Sequence, residues 1–257
     1  MGYSSIEVEV RKPVGWIYFN RPDKLNAMNT SLLREAVEAL DSLESEPEVH
    51  FIVLSGRGRA FSAGIDLSEV AGSPSPESAG RIFEVLARFF RRLLTVEAVT
   101  IAAVNGHAVG GGAEVLWAVD LSVAVKGAKI AWPEARWGLV PPALSTIGPT
   151  AIGPARAGYL ALTSGGITAE EAHRIGLVSR LVDNPKELEK AVEEMVDEVM
   201  KNSRDSAYSI SRMLRTAKTT PILELGISEL ARLARSSDVI SASKGFVERR
   251  EQPRWEW

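Results

Sequence analysis

Three apolar segments separated by helical patterns do most to limit the folds open to this chain. Residues 51–54 (Phe-Ile-Val-Leu) are apolar without a break up to the turn near Gly56, and residues 100–104 and 121–125 read as further buried strands. Runs of this kind suit strands covered on both faces. Between them the period changes. Asn29-Thr30-Ser31 offers helix caps ahead of Leu32, Leu33, Val37, Leu40 and Leu43, which recur at helical spacing. The breaker-rich Ala71-Gly72-Ser73-Pro74-Ser75-Pro76 precedes a second helix over about 77–94. Strand, helix and strand at these intervals predict βαβ units and a mostly parallel sheet, an α/β fold. Ahead of them, residues 6–10 and 15–19 alternate apolar and polar positions around Lys12-Pro13, as a hairpin does.

The last third changes character. Thr168-Ala169-Glu170-Glu171 predicts a capping box, residues 187–201, 206–218 and 221–235 predict helices, and only 177–182 reads as a strand. The chain therefore divides into an α/β core over residues 1–200 and a helical region over 201–257. With 45% hydrophobic residues it can bury a sizeable core. A net charge of −3 gives no global positive field for nucleic acid or an anionic membrane. Arg91-Arg92 and Arg249-Arg250 read as solvated helix faces. The absence of cysteine excludes disulfides, thiolate metal sites and a cysteine nucleophile, and His50, His107 and His173 lack metal-ligand spacing. The apolar stretch 98–104 is far below the roughly 20 residues of a membrane span, and the first residues lack a signal-peptide pattern, so the cytoplasm is the expected location.

Two glutamates end segments built to hold backbone near a ligand. Glu114 closes Asn105-Gly106-His107-Ala108-Val109-Gly110-Gly111-Gly112-Ala113-Glu114, and Glu134 sits in Trp132-Pro133-Glu134-Ala135-Arg136-Trp137. Glycines at 110–112 let a ligand approach the backbone, and the helix starting there points unpaired N–H groups outward. A tight turn with no ligand is the plain alternative. Ala63-Gly64-Ile65-Asp66 makes a comparable turn. If strands 51–54 and 100–104 are neighbours, the two turns lie side by side at the carboxyl edge of the sheet. Two N–H groups would then converge as an oxyanion hole, each donor worth about 3 to 4 kcal/mol of barrier. Beside it, one glutamate can move a proton at the carbon α to a thioester while the other activates water. Pro133 and the flanking tryptophans predict a partly enclosed Glu134 with a raised pKa.

These residues resemble the crotonase (enoyl-CoA hydratase/isomerase) superfamily over nearly the whole chain. The resemblance begins at Asn20-Arg21-Pro22-Asp23-Lys24-Leu25-Asn26-Ala27-Met28-Asn29, passes through the three segments above, continues in Glu171-Ala172-His173-Arg174-Ile175-Gly176-Leu177-Val178 and ends at Phe246-Val247-Glu248-Arg249-Arg250. It implies a spiral of ββα units with C-terminal helices that make a homotrimer, often paired into a hexamer. It also implies that Ile65 and Gly111 form the oxyanion hole, that Glu114 is associated with water and that Glu134 handles the α-proton. Lys24, Leu25, Ala27, Ala63, Asp66 and Phe246 are implied along the coenzyme A moiety, with core packing the alternative for Leu25, Ala27 and Phe246. Phe246 matches a residue that in related proteins reaches toward a neighbouring subunit's acyl-CoA.

Keeping both glutamates implies hydration of a trans-2-enoyl-CoA to a 3-hydroxyacyl-CoA, with no metal or redox cofactor, since coenzyme A is part of the substrate. An isomerase using Glu134 alone is the alternative, and an RNA-binding or non-catalytic member a further one. The sequence departs from the pattern at Pro142-Ala143-Leu144-Ser145-Thr146, where a glycine-rich run is usual, at Glu97-Ala98 and at Ser241-Ala242. The acyl pocket is expected to be shaped by residues 72–78, Trp132, Trp137 and Pro142, the last of which removes an N–H donor.

Overall fold

The computed structural model describes residues 2–218, 221–249, 251–253 and 255. Its strands in chain order are β1 (Ile6–Arg11), β2 (Val14–Phe19), β3 (Phe51–Gly56), β4 (Ala60–Ser62), β5 (Val99–Val104), β6 (His107–Val109), β7 (Leu121–Val125), β8 (Lys129–Ala131), β9 (Gly166–Thr168) and β10 (Arg180–Val182). The helices are α1 (Thr30–Glu44), α2 (Leu67–Ala71), α3 (Pro76–Thr95), α4 (Gly111–Ala118), α5 (Pro142–Thr146), α6 (Gly148–Ala151), α7 (Pro154–Leu162), α8 (Ala169–Arg174), α9 (Leu188–Met200), α10 (Arg204–Lys218), α11 (Pro221–Ala234) and α12 (Ser237–Arg249).

Two sheets result, ordered β1-β2-β3-β5-β7-β10 and β4-β6-β8-β9. After the β1–β2 hairpin and α1, the pairs β3–β4, β5–β6 and β7–β8 each lay one strand in the first sheet and a three-residue strand in the second before the next helix, so the path is a spiral of ββα units. β1 and β2 form the expected hairpin, with Ile6 opposite Phe19 and Arg11 opposite Val14. From β2 onward the first sheet is parallel.

The apolar runs are explained by burial on both faces. Alternate residues of a strand point to opposite sides. Ile52, Leu54, Ala102 and Val104 enter a core shared with α1 and α3. Phe51, Val53, Val99, Ile101 and Ala103 enter a second one against Leu188, Val192, Met195 and Val196 of α9. The two polar side chains on these strands, Ser55 and Thr100, are buried too and each is hydrogen-bonded, to Ala103 O and to Asp120. Asn29 caps α1 by accepting the Leu32 N–H at 2.9 Å, and Ser75 caps α3 in a reciprocal box with Ser78, with Pro76 at the first helical position.

Several expectations need correction. The strand expected over 177–182 shortens to Arg180–Val182, because α8 ends in a turn at Gly176 (φ +83°) with the Leu177 N–H returning to Ala172 O. Of the box at Thr168, only the forward half forms: Thr168 accepts the Glu171 N–H, whereas the Glu171 carboxylate is taken by Arg174. None of the four strands of the second sheet, nor α2, was legible, since three to five residues carry no resolvable period. Arg250, the end of the last motif, lies outside the described residues.

The C-terminal helices return to the core: Leu223, Ile227, Leu230, Val239 and Ile240 belong to the cluster that holds α1 and α3. α10 is clamped by a buried ion pair. Arg215 Nε lies 3.1 Å from Asp120 Oδ1, with side-chain exposures of 2% and 5%. Asp120 Oδ2 also accepts from Thr100 N (2.8 Å), Thr100 Oγ1 (2.9 Å) and Ser211 Oγ (2.8 Å). Arg215 donates to the carbonyls of Val96 and Ala98. Among the described residues no helix is long and apolar enough to cross a membrane.

Candidate active site

The two glycine turns abut. Gly64, after β4, has φ +82°, and a Cβ there would lie 2.7 Å from Val109 O and 3.1 Å from Gly111 N. Gly110, after β6, has φ +55° and precedes the first residue of α4. Both positions favour glycine by conformation, and the first also by the neighbouring turn. Met28 then isolates one donor. Its N–H bonds Gly64 O at 2.7 Å and its carbonyl accepts the Asp66 N–H at 3.0 Å, so the intervening Ile65 N–H makes no hydrogen bond among the described residues. The Gly111 N–H, at the positive end of α4, is equally free there. Two unpaired N–H groups on touching turns can stabilise an oxyanion.

Both glutamates are buried beside these turns, Glu114 at 1% exposure and Glu134 at 9%. Glu114 occupies the first turn of α4, and Glu134 opens a short 3-10 helix, Glu134–Trp137, after β8. Their environments differ. Glu114 Oε2 accepts the Ala143 N–H at 2.6 Å and Oε1 the Leu144 N–H at 3.1 Å. Burial pushes its carboxyl up to about 7, opposed by these two N–H groups and, at longer range, by the Trp132 indole N–H, which forms no hydrogen bond of its own. Glu134 Oε2 is buried without a partner. Burial, and then the negative charge of Glu114, push Glu134 well above the usual carboxylate range. The pair therefore titrates as a unit, with the ionised form favoured on Glu114 and the proton on Glu134.

This arrangement predicts a stability that falls with pH. Both folded carboxyls bind protons more tightly than the ordinary glutamate value of 4.5. Their contribution is complete below that value and is lost as pH rises through about 7. Thermal melts should give a lower Tm at pH 8 than at pH 6, and E134Q should flatten that slope. An unchanged slope in E134Q would remove Glu134 as its source.

Two adjoining cavities meet at this point. The inner one is lined by Glu114, Glu134 and Gly111 and walled by apolar side chains such as Phe83, Phe90, Leu139 and Leu230. The outer groove is lined by Lys24, Leu25, Ala27, Asp66 and Phe246. Ala63, Ile65, Leu67, Pro133 and Trp137 border both. All ten residues singled out from the sequence thus fall in one continuous cleft. Asp66 is already engaged there: it caps α2 through the Ser68 N–H at 3.0 Å and pairs with Arg21 at 2.9 Å. Phe246, on α12, packs edge-on against Trp137 at 5.0 Å and lines the groove of its own chain.

Other parts of the site escaped the sequence. Arg59 and Arg136 join Lys24 as cations of the outer groove; their only signal was sequence proximity, to the Gly64 turn and to Glu134. Met28, Ala143 and Leu144 act through backbone groups, which no side-chain pattern reveals. Residues 72–78 contribute to a separate surface groove with Arg34 and Arg81 and do not line the inner cavity. Trp132 is fully buried behind the cavity against Trp117, while Trp137 and Pro142 do line it. Among the described residues no three His, Asp or Glu side chains converge as metal ligands.

A family model described as enoyl-CoA hydratase/isomerase matches residues 9–256. Among similar proteins, a short-chain-enoyl-CoA hydratase of Clostridium acetobutylicum is 35% identical over 210 residues, covering 79% of this chain and 78% of its own. A crotonyl-CoA hydratase of Syntrophomonas wolfei is 34% identical over 203 residues, covering 78% and 77%. The crystal structure of an enoyl-CoA hydratase/isomerase from Xanthobacter autotrophicus superposes with a TM-score of 0.86 at 26% identity, covering 96% of this chain and 94% of that one. With spiral, turns and paired glutamates all in place, the chain belongs to the enoyl-CoA hydratase/isomerase family.

Proposed function

We propose that the chain adds water reversibly to a trans-2-enoyl-CoA, giving a 3-hydroxyacyl-CoA. The observation that carries this reading is the unequal pair of buried carboxyls, one given two N–H donors that favour its ionised form and one left without a partner and held protonated, beside two free N–H groups. The thioester carbonyl accepts from Ile65 N–H and Gly111 N–H. Glu114 takes a proton from water as the water oxygen bonds to the β carbon. The double-bond electrons move toward the thioester oxygen, and Glu134 delivers its proton to the α carbon. One proton and one hydroxyl have then been added, and exchange with solvent returns the pair to its starting state. The reverse sequence dehydrates.

Lys24, Arg59 and Arg136 suit the phosphates of coenzyme A, and Leu25, Ala27 and Phe246 its apolar parts. Coenzyme A enters and leaves with the substrate, and the mechanism uses no further cofactor. The exposed apolar side chains Ile210, Met213, Leu214, Ile222 and Leu225 on α10 and α11 support a homotrimer or a hexamer of two trimers.

Loss of the conjugated-enoyl absorbance with a trans-2-enoyl-CoA series, with the product identified, tests the reading. The acid limb of kcat/KM should rise through about pH 7, where Glu114 ionises, and the rate should fall again where Glu134 loses its proton. Double-bond migration without hydration would favour an isomerase instead.

A further inference from the structure

Glu114 is held by a helix that another helix buttresses. α5 starts at Pro142, which has no N–H, so its first donors are Ala143 and Leu144, and both go to Glu114. The outer side of that same turn is pressed by α11. A Cβ at Gly226 would lie 2.9 Å from Pro142 O, 3.2 Å from Pro142 Cα and 2.9 Å from Thr146 Cγ2. Two of these three contacts are with backbone, which cannot rotate aside. Gly226 lies inside a helix, where glycine costs about 1 kcal/mol relative to alanine. Its bareness lets α11 seat directly on the Pro142 peptide. α11 itself is fixed by Leu223, Ile227 and Leu230, all buried in the main core.

We propose that Gly226 is a positioning residue for Glu114, setting through the Pro142 backbone where the Ala143 and Leu144 N–H groups stand. The inference rests on the hydratase reading of Glu114. An added methyl must part α5 from α11 by a few tenths of an ångström, and the share taken by α5 displaces the turn that carries the Ala143 and Leu144 N–H groups. Bonds of 2.6 and 3.1 Å to the ionised carboxylate then lengthen or misalign. Since they favour the ionised form, their weakening makes Glu114 harder to ionise. Glu134 is the titratable group set against it. α3 and α5 present apolar or backbone groups to the cavity, and Arg215 and Lys218 of α10 are engaged with the Val96, Ala98 and Val119 carbonyls, away from the first turn of α4.

The test is G226A in the full chain, assayed with a trans-2-enoyl-CoA across pH. The acid limb should move up by about one pH unit, giving a roughly tenfold loss below pH 7 that is recovered at higher pH, with KM little changed. Infrared titration of the carboxylic-acid C=O band lost in E114Q should shift by the same amount. G158A is the control: a Cβ there, on α7, meets no atom within 4 Å, and the profile should stay that of the wild type. If G226A does not fold, G226A/T146S removes the Cγ2 contact and keeps the one with Pro142. A folded variant with an unshifted midpoint, whatever its kcat, overturns the proposal. A wild-type chain that hydrates no enoyl thioester would sink the functional reading instead, while the infrared midpoint would still decide the role of Gly226.

Discussion

E134Q should lower kcat for hydration about 10³- to 10⁴-fold, the upper range for losing a positioned acid. Glutamine fills the same space but has no proton to give the α carbon. E114Q should lower hydration comparably for the opposite reason, because it removes the group that accepts a proton from water. Exchange of α-hydrogens of a saturated acyl-CoA with deuterated water separates the two. That exchange needs Glu134 and the oxyanion hole alone, so E114Q should retain it and E134Q should lose it. Equal retention in both variants would mean that neither carboxyl serves the α carbon. Folding should diverge as well. In E114Q the amide nitrogen must face an N–H of Ala143 or Leu144, leaving a buried donor unpaired at a cost of about 1–3 kcal/mol. E134Q removes a buried group that disfavours its own ionised form. It should be the more stable variant above pH 7.

D120A should destabilise the fold by about 3–5 kcal/mol, the loss typical when one partner of a buried pair is removed. Arg215, 2% exposed, would keep its charge with no counterion, and Thr100 and Ser211 would lose their acceptor. Urea denaturation reads this as a lower midpoint at unchanged slope. Replacing both partners by leucine should cost less than D120A alone, since an apolar pair leaves no stranded charge. A drop below about 1 kcal/mol in D120A would show that water reaches Arg215 and that the clamp on α10 is minor.

Much of the fold was legible because it is written locally. The runs at 51–54 and 100–104 marked β3 and β5, whose two faces meet different cores. Asn29 announced α1 through a cap that acts within one turn, and the breakers at 71–76 announced α3. The glycines at 64 and 110 were readable for the same reason, since a positive φ is a requirement of a single residue. Motif order went further than pattern, bringing Lys24, Leu25 and Phe246 into the cleft although nothing in their own surroundings marks them.

The sequence by itself determined the central strands, the capped helices, the two turns and the identity of both glutamates, because each depends on side chains a few residues apart. Tertiary structure alone decided what those glutamates are. Glu114 finds its donors 29 and 30 residues away, at the start of a helix that replaces the expected glycine-rich run. Glu134 is raised by burial and by Glu114, neither of which exists before the second sheet closes. All four strands of that sheet have three residues, and they gain stability only from neighbours on other turns of the spiral. The division of one proton between two like residues is a property of the folded site. Hydrogen bonds and desolvation set it, and both depend on distance in space instead of position along the chain.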